Sequence, residues 1–473
     1  MKKIICLLLA LVMCASVLVA CGETENEPAD NGTSNQNPQT PPAMTYDEYV
    51  AAELDSKVIV ETYVQAKQSW WFNSEKNTGL GTFYMQSPDG AYYVYEMPCT
   101  EEEYNSLTVG TKVRIEGYKA EWSGEVEIIE ATFKILEGSY IAEPIDLTAT
   151  LGKDDLVSYQ NQKVSFGAMV IVPSNENGDA FLYKYNGSGK EGDDIYFKAT
   201  VCGEVYTFVI ESYLCDKTTD VYKAAQSLKV GDVVDLEGFL YWYDGPQPHI
   251  TSIKNTDVLS NAEYDAADKD DLVVVRTFVQ GKQSWWFNSD KNTGLGTFYM
   301  QSTDGAYFVY ELPITQEVYN NLVPGTEVII RGYKAEWSGE VEIVDATYAI
   351  PSSGITYIAD AFDATALLGT AELVDHQNEK VAFKGLTVVS SNDAGDAFLY
   401  KWNGTGKEGD DIYFKASIGG ATYTFVIESY LCDKTTDVYK AAQALKVGDV
   451  IDLEGFLYWY DGAQPHITSI VVK

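Results

Sequence analysis

Histidine occurs only three times in 473 residues, proline 14 times and cysteine seven times. So few imidazoles leave the chain poor in ready-made general bases. Basic residues are scarce as well: 33 Lys and Arg stand against 70 Asp and Glu, a formal net charge of −37. A chain this acidic does not bind bulk nucleic acid or an anionic membrane by electrostatics alone. No G-x-S-x-G, H-E-x-x-H, G-x-x-x-x-G-K-[ST] or C-x-x-C spacing occurs. Nothing therefore points to a nucleophile elbow, a zinc protease, a phosphate loop or a cysteine metal site.

What is present is core material. Hydrophobic residues make up 45 % and aromatic residues 13 %, with 34 tyrosines. That composition excludes general disorder and suits a β-rich fold. The length implies roughly three or four domains. Lys2 and Lys3 precede an apolar run, Ile4 to Ala20, which reads as a signal peptide over residues 1–20. The stretch Leu18-Val19-Ala20-Cys21-Gly22 resembles a bacterial lipobox, which implies a lipidated Cys21 and extracytoplasmic anchoring to the cell membrane. Residues 21–45, rich in Glu, Asn, Thr, Gln and Pro, read as a flexible tether. Without residues 1–21 the chain holds 31 basic and 70 acidic side chains, a net charge of −39. Cys99, Cys202, Cys215 and Cys432 lack a pairing pattern common to both halves and read as buried thiols.

The chain repeats itself. Residues 190–253 align without gaps to 407–470, with 56 of 64 positions identical. Residues 68–87 recur, with one change, at 283–302. A weaker repeat lies inside each copy: Leu107-x-Val109-Gly110-x-x-Val113-x-Ile115-Glu116-Gly117 matches Leu228-x-Val230-Gly231-x-x-Val234-x-Leu236-Glu237-Gly238. Four units follow, at 46–138, 139–258, 259–353 and 354–473, the last two repeating the first two.

Within unit one, Lys57–Val64 alternates as a strand, and 82–87 with 91–96 forms a hairpin around Pro88-Asp89-Gly90. Thr100-x-x-Glu103 has the spacing of a helix capping box. Two more alternating runs follow, Lys112–Tyr118 and Glu125–Phe133. In unit two the helix is expected over 216–228 and the fourth strand over 232–243. Three strands, a helix and two strands is the order of the OB-fold, a five-stranded Greek-key barrel. The V-G-x-x-V-x-[IL]-E-G stretch resembles the fourth strand of OB modules in secreted bacterial nucleases and surface lipoproteins. The expectation is an all-β chain of four tandem OB-fold-like barrels, in two near-identical pairs, each with a short helix between strands three and four.

OB-folds bind ligands on the face of strands two and three and on the loops joining strands one to two and four to five. Aromatic and cationic residues gather on those loops: Trp70, Trp71, Lys119 and Trp122 in unit one, Trp285, Trp286, Lys334 and Trp337 in unit three. Trp242 and Trp459 sit at the fourth-strand ends of units two and four. Such rings stack on sugars or bases, or else seal one unit against the next. Residues 57–136 hold seven Lys and Arg against twelve acids, so charge favours a neutral ligand over a polyanion. His249 and His466 read as structural. The Asn- and Asp-bearing runs 175–179, 193–194, 392–396 and 410–411 offer oxygen ligands of the kind calcium takes, but also match ordinary turns. The resulting expectation is a non-catalytic extracellular binding lipoprotein for a glycan or other neutral ligand. The alternatives are an oligonucleotide binder and a surface scaffold.

Overall fold

A computed structural model describes residues 41–473. The signal peptide, Cys21 and most of the tether lie outside the described residues. The ordered body starts before residue 46, because the Met44 N–H already donates to Ile59 O at 2.7 Å.

Unit one has five principal strands, Lys57–Lys67, Thr78–Ser87, Gly90–Pro98, Thr111–Trp122 and Glu125–Ser139. Their order around the sheet is one, four, five, three, two, and strand one also pairs with strand two to close the barrel. Strand one serves two neighbours because a bulge between Val64 and Ala66 bends it from one to the other. Strands three and five run parallel, Tyr93 opposite Glu127. This is OB-fold topology, and the other three units repeat it. In units two and four the parallel seam narrows to single pairs, Val209 with His249 and Val426 with His466.

The local signals account for most of these elements. Thr100 and Glu103 form a reciprocal capping box at the start of Glu101–Ser106, the helix between strands three and four. An unexpected helix, Tyr46–Ala51, is capped in the same way by Thr45 and Glu48, and it buries Tyr49 in the core of barrel one. In unit two the helix is shorter than expected, Asp220–Ser227 with Thr219 as N-cap. The Asp216 carboxylate instead accepts from Thr218 N–H and Oγ1, which makes a separate turn. The fourth strand there ends at Phe239, since the 240–247 segment folds back on itself through Tyr241 N–H to Phe239 O and Gln247 N–H to Tyr241 O.

The two pairs meet between units two and three. Ala168, Val170 and Val233 pack on Val274, Ile329 and Ala349, and Cys202 N–H donates to Tyr348 O at 2.6 Å. Arg331 binds the Asp146 carboxylate at 2.6 Å and lies over Gly167, where a Cβ would sit 2.4 Å from its Nε. At the outer ends of the array the matching residues are polar. Ile329 and Arg331 correspond to Arg114 and Glu116 in unit one, and Gly167 and Val170 correspond to Lys384 and Thr387 in unit four. Copy-specific residues therefore confine this contact to the middle of the chain.

Replacing Arg331 by Glu, the residue of unit one, removes the pair with Asp146 and sets two carboxylates together. We expect a loss of about 1–2 kcal/mol in stability and faster proteolysis between residues 254 and 260. An unchanged denaturation midpoint and cleavage rate would show that apolar packing alone holds the seam.

Candidate ligand-binding clefts

Two adjacent tryptophans on an extended segment face opposite ways, and these do. The Trp70 indole donates to Cys99 O at 3.0 Å and lies on Gly79, where a Cβ would come within 2.3 Å of the ring. Trp285 repeats this with Ile314 O at 2.9 Å and Gly294. These rings are structural. Trp71, which opens the short strand Trp71–Asn73, is 41 % exposed, and Trp286 is 42 % exposed.

Trp71 lines a cleft of about 430 Å³ with Gln68, Ser69, Thr82, Tyr95, Glu96 and Tyr213. Tyr213 comes from unit two. Its carbonyl accepts from Ser69 N–H at 2.6 Å and Ser69 Oγ at 3.1 Å, so the wall of the cleft is built from both barrels. Glu96 sits at φ 45°, a left-handed conformation unusual for a non-glycine residue, and its N–H donates to Thr82 Oγ1. The second pair repeats the arrangement: Ser284 N–H and Oγ donate to Tyr430 O at 2.6 and 3.0 Å, and Glu311 has φ 48°. Tyr95 and Tyr213 are cleft residues that sequence reasoning missed, and Tyr310 and Tyr430 match them in the second pair. Tyr213 and Tyr430 stand in the identical ESYLCD runs at 211–216 and 428–433, but no local pattern says which barrel they approach.

The remaining candidates divide. Trp122 and Trp337 stand at the tips of the strand four–five hairpins, opposite Glu125 and Glu340, and are 63 % and 55 % exposed. Trp242 and Trp459 instead lie over Gly124 and Gly339 of the preceding barrel. Their backbone N–H groups donate to Glu125 and Glu340, so they seal the junction within each pair. Lys119, 7 % exposed, gives its ammonium to Tyr49 O, Val50 O and Ala52 O at the end of helix Tyr46–Ala51. Lys334 does the same with Tyr264 O, Asp265 O and Ala267 O. With their donors occupied, Lys119 and Lys334 are helix caps rather than ligand contacts. Lys67 and Lys282 are likewise taken, by Tyr104 O and Tyr319 O.

The junction also buries ionisable groups. Tyr84 stacks on Phe239 at 4.5 Å, and its hydroxyl meets His249 Nδ1 at 2.8 Å. Burial lowers the His249 pKa to about 3, so this ring is neutral at physiological pH. Burial also lifts the Glu125 carboxyl to about 8, which the Trp242 N–H and Asn161 only partly offset. Glu127 and Glu211 rise to about 7, burial again being the main cause, with Glu96 and Asp194 respectively adding repulsion. The Asn and Asp runs considered for calcium hold their own turns. Asn175 bonds Asn177 N–H, Asp179 N–H and the Asp179 carboxylate, and Asp194 binds Ser212. Among the described residues, no group of three or more His, Cys, Asp or Glu is placed to hold a metal.

Glu125 and Glu340, at about 8 and about 9, keep a proton that the unfolded chain releases near 4.5. Stability therefore falls as pH rises from about 4.5 to about 8–9 and levels off above that, by up to about 1.4 kcal/mol per pH unit for each group. Glu125→Gln with Glu340→Gln flattens the pH dependence of the thermal midpoint and raises the midpoint at pH 9, while leaving pH 5 nearly unchanged. A double variant with the slope of the parent would show that these carboxyls are ionised in the fold.

No known family matches the chain, and no curated protein resembles it at a significant level. Among solved structures it is similar to the p204 HINb domain, at 11 % identity over 44 % of this chain and 100 % of that one, TM-score 0.23. It is similar also to a replication protein A heterotrimer bound to ssDNA, at 9 % identity over 67 % of this chain and 96 % of that one, TM-score 0.23. A murine DNA-binding protein bound with dsDNA matches at 12 % identity over 43 % of this chain and 97 % of that one, TM-score 0.22. Likeness this low carries no argument about ligand; the OB-fold assignment rests on the chain's own strand order.

Proposed function

We propose that the chain is a non-catalytic carbohydrate-binding protein, exported, anchored by a lipid on Cys21, and presenting one aromatic cleft per pair of barrels. One observation carries the reading. Around the aromatic loops the lysines that could neutralise phosphate are tied to backbone carbonyls, whereas Trp71, Tyr95 and Tyr213 keep exposed ring faces. Lys76 and Lys291 are the cations left exposed in the strand one–two loops. Stacking faces beside Gln68, Ser69, Thr82 and Glu96 suit the apolar face and hydroxyls of a neutral sugar. Two like clefts on one chain raise avidity for a repetitive glycan if its spacing spans both.

A glycan array tests this. Trp71→Ala with Trp286→Ala is expected to weaken binding roughly tenfold or more, with stability retained. Trp70→Ala is expected instead to lower the thermal midpoint, because it empties the space over Gly79. Absence of any glycan ligand, or binding indifferent to the Trp71 and Trp286 changes, rejects the proposal. Single-stranded oligonucleotide binding is the second reading, favoured by closed OB barrels with exposed tryptophans at the loop tips. A mobility shift with an oligothymidylate at low salt, weakening steeply as salt rises, would replace the first reading with this one.

A further inference from the structure

Among the described residues, most lysines that are not exposed have a partner. Lys112 pairs with Glu61, and Lys67, Lys119, Lys163, Lys282, Lys334 and Lys380 reach backbone carbonyls. Lys198 and Lys415 are the exceptions. Both are half-buried, and no ion pair or hydrogen bond of either ammonium is found among the described residues. In a protein with twice as many acids as bases, that is a departure from the pattern.

Each of these lysines occupies one place in its barrel. Lys198 lies on strand two of unit two, opposite Thr207 of strand three, and Lys415 lies opposite Thr424 in unit four. Lys198 lines a pocket of about 260 Å³ with Ser174, Leu182, Tyr185, Tyr196, Thr207 and Gln247. At its rim Tyr185 is 75 % exposed, and the matching residue in unit four, Trp402, is 74 % exposed. The duplication has changed this ring in kind but kept an aromatic face. The loop that carries it is ordered by its own bonds: Gly187 N–H to Lys184 O, Gly189 N–H to Tyr183 O, and Ser188 N–H to Asn186 Oδ1 at 3.0 Å. The neighbouring carboxylates are engaged elsewhere, Asp193 by Lys190 N–H and Asp194 by Ser212.

An aromatic platform, hydroxyl and amide groups and a single cation suit a sugar ring that carries one carboxylate. We propose that this pocket, and the place that Lys415 and Trp402 occupy in unit four, each take a uronic acid residue of an acidic polysaccharide, its ring on Tyr185 or Trp402 and its carboxylate accepting from Lys198 or Lys415. One ammonium balances one carboxylate. The pocket is separate from the clefts between barrels, so the proposal goes beyond the function given above and does not depend on it.

Trigalacturonate titrated calorimetrically into the full chain tests the inference. The expected result is binding at two sites per chain, and binding weaker by roughly tenfold or more for the fully methyl-esterified trimer, which lacks the charge. Lys198→Gln with Lys415→Gln is expected to cause the same loss with an unchanged thermal midpoint, since neither ammonium holds the fold. Tyr185→Ala with Trp402→Ala is expected to weaken both trimers. Trp71→Ala with Trp286→Ala is expected to leave trigalacturonate binding intact, which separates this site from the clefts. The proposal is overturned if trigalacturonate does not bind, if ester and acid bind alike, or if the lysine variants bind as the parent does. It is overturned also if the Trp71 and Trp286 changes abolish binding, or if an oligothymidylate displaces the trimer at lower concentration.

Discussion

The seam between the two barrels of a pair is the contact on which the rest of this molecule depends. Tyr84 of the first barrel stacks on Phe239 of the second and meets His249, while Trp242 covers Gly124 and its backbone N–H holds Glu125. These are buried aromatic and polar contacts, so the two barrels share one set of packing constraints. Gly124 illustrates the tightness. A Cβ there would stand 2.8 Å from the Trp242 ring, and its φ of 87° is one that only glycine adopts readily. The aromatic cleft exists because this seam brings Tyr213 beside Ser69 and Trp71.

The same seam explains the behaviour of charge. Acidic groups drawn into it lose water, and burial raises the pKa of Glu125, Glu127 and Glu211. The cations beside the aromatic loops go to structural ends. Lys119 caps the end of a helix by donating to Val50 O and Ala52 O as well as Tyr49 O, and Lys67 reaches Tyr104 O from above the same residue's ring, 3.9 Å from its centre. The bulk excess of acid thus understates how little positive charge the aromatic loops present. Against that background Lys198 and Lys415 stand out as half-buried lysines with no ion pair or hydrogen bond of the ammonium among the described residues.

Much of the fold was legible in the residues. The tandem copies, the alternation of Lys57–Val64 and the Thr100-x-x-Glu103 capping box are local or self-repeating patterns, and each marks its element. The helix Tyr46–Ala51 has an equally clear box, Thr45-x-x-Glu48, but its cap is the last residue of the stretch, 21–45, whose composition reads as tether. The candidate site was legible only in part. Adjacent Trp70 and Trp71 imply opposite faces, yet nothing nearby in sequence says which one meets Cys99 O and which one meets solvent.

The sequence by itself determined the number of barrels, their pairing as copies and the order of strands and turns. Period-two alternation, caps and glycine turns act over a few residues and need no distant partner. Only the tertiary structure decided which aromatic and cationic side chains are free. Lys119 is a cap because the chain returns its helix end from 70 residues away, Trp242 is a seal because Gly124 lies beneath it, and Tyr213 is a cleft wall because Ser69 holds its carbonyl from 144 residues away. Availability for a ligand is a property of what else touches a group, and contacts of that span are set when barrels pack.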